Sequence, residues 1–122
     1  MQTRIKVTNY VITPEVSRYL DARLRTLEKL LGTDAEAARC EVELGRDAGK
    51  KQHSDYMWCA EVHIVVPGKK SVYARNTAPT VNAAIDDVKE EIERQLRKGK
   101  QIQRRTVRQG GALAKGRMRF GK

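Results

Sequence analysis

Hydrophobic and polar residues alternate from the start of the chain. Ile5 and Val7 fall on one side of an extended segment, with Arg4 and Lys6 on the other, which predicts a first strand. Thr13-Pro14 then supplies a capping hydroxyl and a proline suited to the first helical position. Behind it Val16, Leu20, Leu24, Leu27 and Leu31 recur at helical spacing up to Gly32, a residue able to take a left-handed stop. The period returns to two at Cys40, Val42 and Leu44, set between Arg39, Glu41 and Glu43, for a half-buried strand. Gly45 to Ser54 is polar and reads as a hairpin loop. Tyr56, Trp58, Ala60, Val62 and Ile64 then mark the longest strand. Pro67-Gly68 turns the chain into a short strand around Val72 and Ala74. A second helix opens near Pro79-Thr80, with a core stripe of Val81, Ile85, Val88, Ile92 and Leu96 at spacings of 4, 3, 4 and 4. Gly99 weakens this helix, and Gly110-Gly111 is expected to end it.

The order β-α-β-β-β-α predicts an α+β fold, a four-stranded mixed sheet with two helices packed on one face. A helical crossover makes the first two strands parallel if they are adjacent, and the hairpin links make the remaining pairs antiparallel. The other face of the sheet would carry Arg4, Lys6, Glu41, Glu43, Glu61 and His63. A chain of 122 residues forms one domain. We place the folded part at residues 1–102 and expect 103–122 to be a basic, disordered tail. No internal repeat is visible.

Charge changes the picture once it is divided along the chain. Residues 1–96 hold 15 Lys and Arg against 15 Asp and Glu, so the whole formal charge of +10 lies in the acid-free segment 97–122. A neutral body with a basic tail is the pattern of a protein that grips a polyanion, nucleic acid first, whose phosphates bind without regard to sequence. An anionic membrane fits less well, because the tail lacks a large apolar face with aromatic anchors. The longest apolar run, Val62 to Val66, is broken by His63, and the first residues do not resemble a secretory signal, so a cytoplasmic location is expected. Cys40 and Cys59 should then stay reduced.

Catalytic patterns are missing: no Gly-rich phosphate loop, no Gly-x-Ser-x-Gly, no His-Glu-x-x-His. Asp86 and Asp87 are helix neighbours whose side chains diverge by about 100°, and they read as first-turn acids that favour a helix start. Cys40, His53, Cys59 and His63 are good ligand types, but Cys59 and His63 would stand roughly 13 Å apart along one strand face, too far for one ion. Opposite parity also separates Cys40 from an outward-facing Cys59, which argues against a disulfide. His53 reads as a solvated loop residue. Tyr56 and Trp58 share the parity of Ala60 and Val62, which favours burial beneath the helices over a base-stacking platform. No catalytic residue, metal, cofactor or small-molecule substrate is therefore expected. Recognition should come from the helices and the tail. Arg94, Arg97, Lys98, Gln101 and Arg105 fall at three- and four-residue steps opposite the core stripe, and Arg18, Arg25 and Lys29 form a similar row on the first helix. Arg23 falls within the apolar arc, so it must snorkel out of the seam or pair with an acid.

Several segments resemble one family. Ala83-Ala84-Ile85-Asp86 followed by Arg94-Gln95-Leu96, Lys98 and Lys100 is similar to the second helix of bacterial ribosome hibernation-promoting factors, also called ribosome-associated inhibitors. Ala22-Arg23-Leu24 with Leu27-Glu28 resembles their first helix, and His53-Ser54-Asp55 a loop before their long strand. The likeness covers about residues 3 to 102 and departs from the usual pattern at Thr80-Val81-Asn82 and at Glu91, where relatives can carry Lys.

The resemblance implies a domain that binds the small ribosomal subunit between head and body, over the 16S rRNA of the decoding region, and blocks the tRNA and mRNA sites. It implies a short form, without the second domain by which longer relatives pair two ribosomes. By position it makes Arg18, Arg23, Arg94, Lys98 and Lys100 the foremost rRNA contacts. With Arg25, Lys29, Lys89 and Arg97 on the helices, and Arg104, Arg105 and Arg108 in the tail, these form the expected rRNA-binding set. Two alternatives stand beside it: a general RNA-binding module driven by the tail, and a regulator that modulates a sigma factor by protein contact.

Overall fold

The computed structural model describes the backbone of residues 1–46 and 58–113 and the side chains of residues 1–46 and 58–99. The elements run β1 (Gln2–Thr8), α1 (Pro14–Leu31), a 3₁₀ segment (Gly32–Ala37), β2 (Arg39–Arg46), β3 (Trp58–Val65), β4 (Val72–Ala78) and α2 (Val81–Leu113). The four strands form one sheet in the order β1-β2-β3-β4. β1 pairs with β2 in parallel, Gln2 opposite Arg39, and both other pairs are antiparallel. The mixed sheet with its two helices is the α+β architecture expected from the pattern.

The helix starts follow from their caps. Thr13 Oγ1 accepts a hydrogen bond from Val16 N at 3.2 Å ahead of Pro14, and Thr80 Oγ1 accepts one from Ala83 N at 3.1 Å ahead of α2. At the other end of α1, Gly32 stands at φ +60°, where a side chain would be strained, and its N–H bonds back to Lys29 O. Gly68, at φ +80°, makes the turn between β3 and β4.

The core is assembled from the anticipated stripes. Leu20, Leu24, Leu27 and Leu31 of α1 and Ala84, Ile85, Val88 and Ile92 of α2 pack onto Cys40, Val42, Leu44, Ala60, Val62, Ile64, Ala74 and Ala78 of the sheet. Val81 and Leu96, at the ends of the α2 stripe, are half-buried. No charged or polar residue is buried among the described residues.

The layer does not cover the sheet evenly. β1 is an edge strand whose residues are all exposed; Ile5 and Val7, expected to face the core, keep 40 % and 36 % of their surface in solvent. The alternation was correct, but two helices do not span four twisted strands, and α2 lies over β3 and β4. Because β4 runs parallel to β2 through two antiparallel steps, α2 folds back along it in the same sense as α1 runs against β1 and β2.

Two further expectations change. Asp86 is not a first-turn acid: α2 begins at Val81, its first turn holds no acid, and Asp86 serves a different purpose described below. The helix also does not end at Gly110-Gly111 but reaches Leu113. Residues 101–109 offer helix-compatible side chains, and each glycine near a terminus costs only about 1 kcal/mol. The first part of the expected tail is thus a continuation of α2. The loop expected from Gly45 starts later, since β2 runs on to Arg46, and its remainder, residues 47–54 with His53, lies outside the described residues, as do Tyr56 and residues 114–122.

Candidate nucleic-acid interface

The outer face of the two-helix layer carries a row of basic side chains, with the exposed Asp87 and Glu90 of α2 beside them. On α1, Arg18, Arg25 and Lys29 are exposed, and their seven- and four-residue spacing places them on the side opposite Leu20, Leu24 and Leu27. Among the described residues no carboxylate lies within ion-pair distance of any of the three. Lys98 of α2 is exposed in the same way and has no ion-pair partner among the described residues.

The rest of the expected row on α2 is electrically compensated. Lys89 Nζ lies 2.7 Å from Glu93 Oε1, and Arg97 Nη2 lies 2.6 Å from Glu93 Oε2, a ladder with one carboxylate between two cations at i±4. These two donors hold the Glu93 carboxyl below its ordinary value, the hydrogen bond from Lys89 contributing most. Arg94 pairs with Glu91 one turn back. The spacing of Lys89, Glu93 and Arg97 was legible in the sequence as an i, i+4 pattern, but its neutralising effect on the basic row was not anticipated. The backbone of Lys100, Arg104, Arg105 and Arg108 lies within α2, while their side chains lie outside the described residues.

Arg23 resolves as the second of its two anticipated options, pairing with an acid. Its Nε is 3.0 Å from Asp86 Oδ1, and its guanidinium carbon lies 3.7 Å over the Tyr19 ring. The Tyr19 hydroxyl donates to Asp86 Oδ2 at 2.6 Å. That hydrogen bond, with partial burial and the carboxylate charge adding to it, keeps the phenol above its ordinary pKa. One carboxylate on α2 thus gathers two side chains that stand one turn apart on α1, and ties the helices together.

The opposite face of the sheet is arranged differently. The register places Arg4, Glu41, His63 and Tyr73 in one row across the strands and Lys6, Glu43, Glu61 and Arg75 in the next. The Tyr73 hydroxyl donates to Glu61 at 2.6 Å, and the Thr8 hydroxyl donates to Glu43 at 2.9 Å. Three carboxylates, Glu41, Glu43 and Glu61, occupy the centre of this face, with cations toward its edges. Trp58 packs against the core but is only half-buried, short of the burial beneath the helices that its parity suggested, its ring edge-on to Tyr10 at 4.8 Å, with the Arg46 guanidinium 5.4 Å from its centre. Cys40 is buried, which pushes its thiol up to about 11, and Cys59 is half-buried with its thiol also raised, chiefly by burial. Both cysteines are free. Among the described residues no group of three His, Cys, Asp or Glu side chains could hold a metal ion, and no helix is long and apolar enough to cross a membrane.

A small mixed-sheet domain whose helices carry exposed arginine and lysine side chains without ion-pair partners among the described residues is the class that fold and surface define. The family model described as "Sigma 54 modulation protein / S30EA ribosomal protein" matches residues 3–104, and the chain belongs to that family of ribosome-associated modulators. Two solved structures share the fold. The Protein Y N-terminal domain of Thermus thermophilus is 22 % identical with a TM-score of 0.61, over 80 % of this chain and 98 % of that one. A ribosomal subunit interface protein of Coxiella burnetii is 13 % identical with a TM-score of 0.64, over 82 % of this chain and 98 % of that one. No curated protein sequence matches the chain.

Proposed function

We propose that this protein is a ribosome hibernation factor that binds the small ribosomal subunit near the decoding region and blocks the tRNA and mRNA sites by occupying them. The observation that carries the reading is the outer helix face, where Arg18, Arg25, Lys29 and Lys98 stand exposed with no ion-pair partner among the described residues, in a chain of this family. Uncompensated cations on one rigid surface are what a folded RNA backbone selects, because each phosphate contact releases condensed counterions. The partner is 16S rRNA, the location is the cytoplasm in a stress response, and the action is steric, without catalysis or cofactor. Arg23, Lys89, Arg94 and Arg97 contribute within their ion pairs. Residues 1–102 form the ribosome-binding domain, and 103–122, with Arg104, Arg105 and Arg108, form a basic appendage that adds affinity without choosing the site.

Sedimentation with purified small subunits tests this, using the intact chain and a 1–102 truncation at low and physiological salt. Co-sedimentation of both, with inhibition of translation, is the expected result. Binding by the intact chain alone, competed equally by any RNA, would replace the reading with a tail-driven RNA binder. The family description also names sigma 54 modulation, and a protein complex that survives ribonuclease would favour that reading instead.

A further inference from the structure

Among the described residues, Arg23 is the one cation of α1 that is held by other side chains. A guanidinium has five N–H donors, and here Nε is given to Asp86 while one face rests on the Tyr19 ring. No described hydrogen bond uses the two Nη groups, and about a third of the side chain (34 %) stays exposed at the seam between α1 and α2. Fixed at Nε from one side and by an aromatic face from below, the planar fork cannot swing freely, so its Nη pair points in one direction. That is the geometry in which arginine takes a phosphate through two parallel N–H bonds.

We propose that Asp86 and Tyr19 are positioning residues that hold the Arg23 guanidinium as a fixed fork for an RNA phosphate in the α1–α2 seam. The proposal rests on reading the helix layer as the rRNA-binding face. Two effects of Asp86 compete. Its charge repels a phosphate, and its hydrogen bond removes the rotamer freedom that a long side chain otherwise surrenders on binding. The geometry favours the second, because the carboxylate is occupied by two donors, Arg23 Nε and the Tyr19 hydroxyl, on the side facing α1. Asp87 is the natural control. It is the exposed neighbour on the same helix and has no ion-pair partner among the described residues.

The test measures affinity of the full-length protein for purified small subunits across a salt series, with a thermal melt for each variant. D86N should bind about tenfold more weakly, the scale of one hydrogen bond to a charged group. Its slope of log affinity against log salt should fall by about one. D87N, with the same change of charge, should bind as the parent does or slightly tighter. Y19F keeps the ring and the ion pair but loses the hydroxyl bond, and should weaken binding in the same direction by a smaller factor. In an R23A background the D86N penalty should vanish. If D86N and D87N both tighten binding, Asp86 is only a neutralising charge and the proposal falls. If D86N does not fold, Y19F decides, and unchanged binding overturns the positioning role. Failure of the parent protein to bind small subunits at all would instead sink the hibernation reading, and this inference with it.

Discussion

The side-chain amide of Gln95 meets both backbone polar groups of Tyr73: Nε2 donates to the Tyr73 carbonyl at 2.8 Å, and Oε1 accepts from the Tyr73 N–H at 3.2 Å. Tyr73 lies on β4, an outer strand of the sheet, so the amide stands where a further strand would pair. Gln95 and Asp86 are nine positions apart, about half a turn out of phase on α2 at 100° per residue. One flank of the helix is therefore fastened to β4 and the other to α1.

Q95A should remove both bonds and leave the edge of β4 open at Tyr73. We expect a loss of roughly 1–2 kcal/mol in stability, the net worth of two partly exposed hydrogen bonds. Denaturant titration measures the loss, and size-exclusion chromatography at rising concentration should show new self-association. Q95E keeps an acceptor but cannot donate to the Tyr73 carbonyl, so it should fall on the same side as Q95A.

The compensated and uncompensated cations of α2 should separate in binding. K98A removes a charge with no described partner and should weaken small-subunit binding and lower its salt slope by about one. R94A removes a charge already paired with Glu91 and should do less to both. Equal effects from the two would show that the intrahelical pair breaks on binding.

Ile92 is fully buried between α2 and the sheet, and I92A should cost about 2–5 kcal/mol through lost burial and the cavity left behind. T13A deletes the cap of α1 and should cost about 1 kcal/mol. Chemical denaturation of the two variants should preserve this order.

Both limbs of the pH profile have a named source. The Cys40 thiol is raised from 9.0 to about 11 in the folded chain, so its contribution is complete below 9 and is lost as pH rises through 11. Tyr19 and Tyr73 are raised as well, hence C40A should shrink the alkaline loss without abolishing it. Glu93 is lowered, so its contribution is present above its ordinary 4.5 and disappears as pH falls through its folded value; E93Q should flatten that acid limb. At neutral pH an alkylating reagent should modify half-buried Cys59 first and Cys40 only on unfolding, which peptide mass mapping can follow.

Element types, their order and the core stripes were readable because period two and period 3.6 are local signals. Thr13-Pro14 and Gly32 announced the ends of α1 for equally local reasons. The sequence also showed that Arg23 falls within the apolar arc and must either snorkel out of the seam or pair with an acid. Which acid it finds depends on how α1 and α2 sit side by side, and local pattern does not carry that. Local pattern therefore makes Asp86 a helix-start acid, and it gives Gln95 nothing beyond a place in a motif. The uneven cover of the sheet was hidden in the same way, since alternation says which way Ile5 points but not whether a helix arrives above it.

The placement of β1 also bears on the order in which the sheet is built. β2, β3 and β4 follow one another by hairpins, and α2 folds straight back along β4, so this part can zip up through contacts that are near in sequence. β1 must wait for its partner on the far side of α1, and it then joins with every residue exposed and little apolar cover. The loop it closes is the costliest in the sheet, and the contacts it gains are the poorest. β1 should therefore be the last strand to dock and the first to let go, and hydrogen exchange should find its amides exchanging well ahead of those in β3.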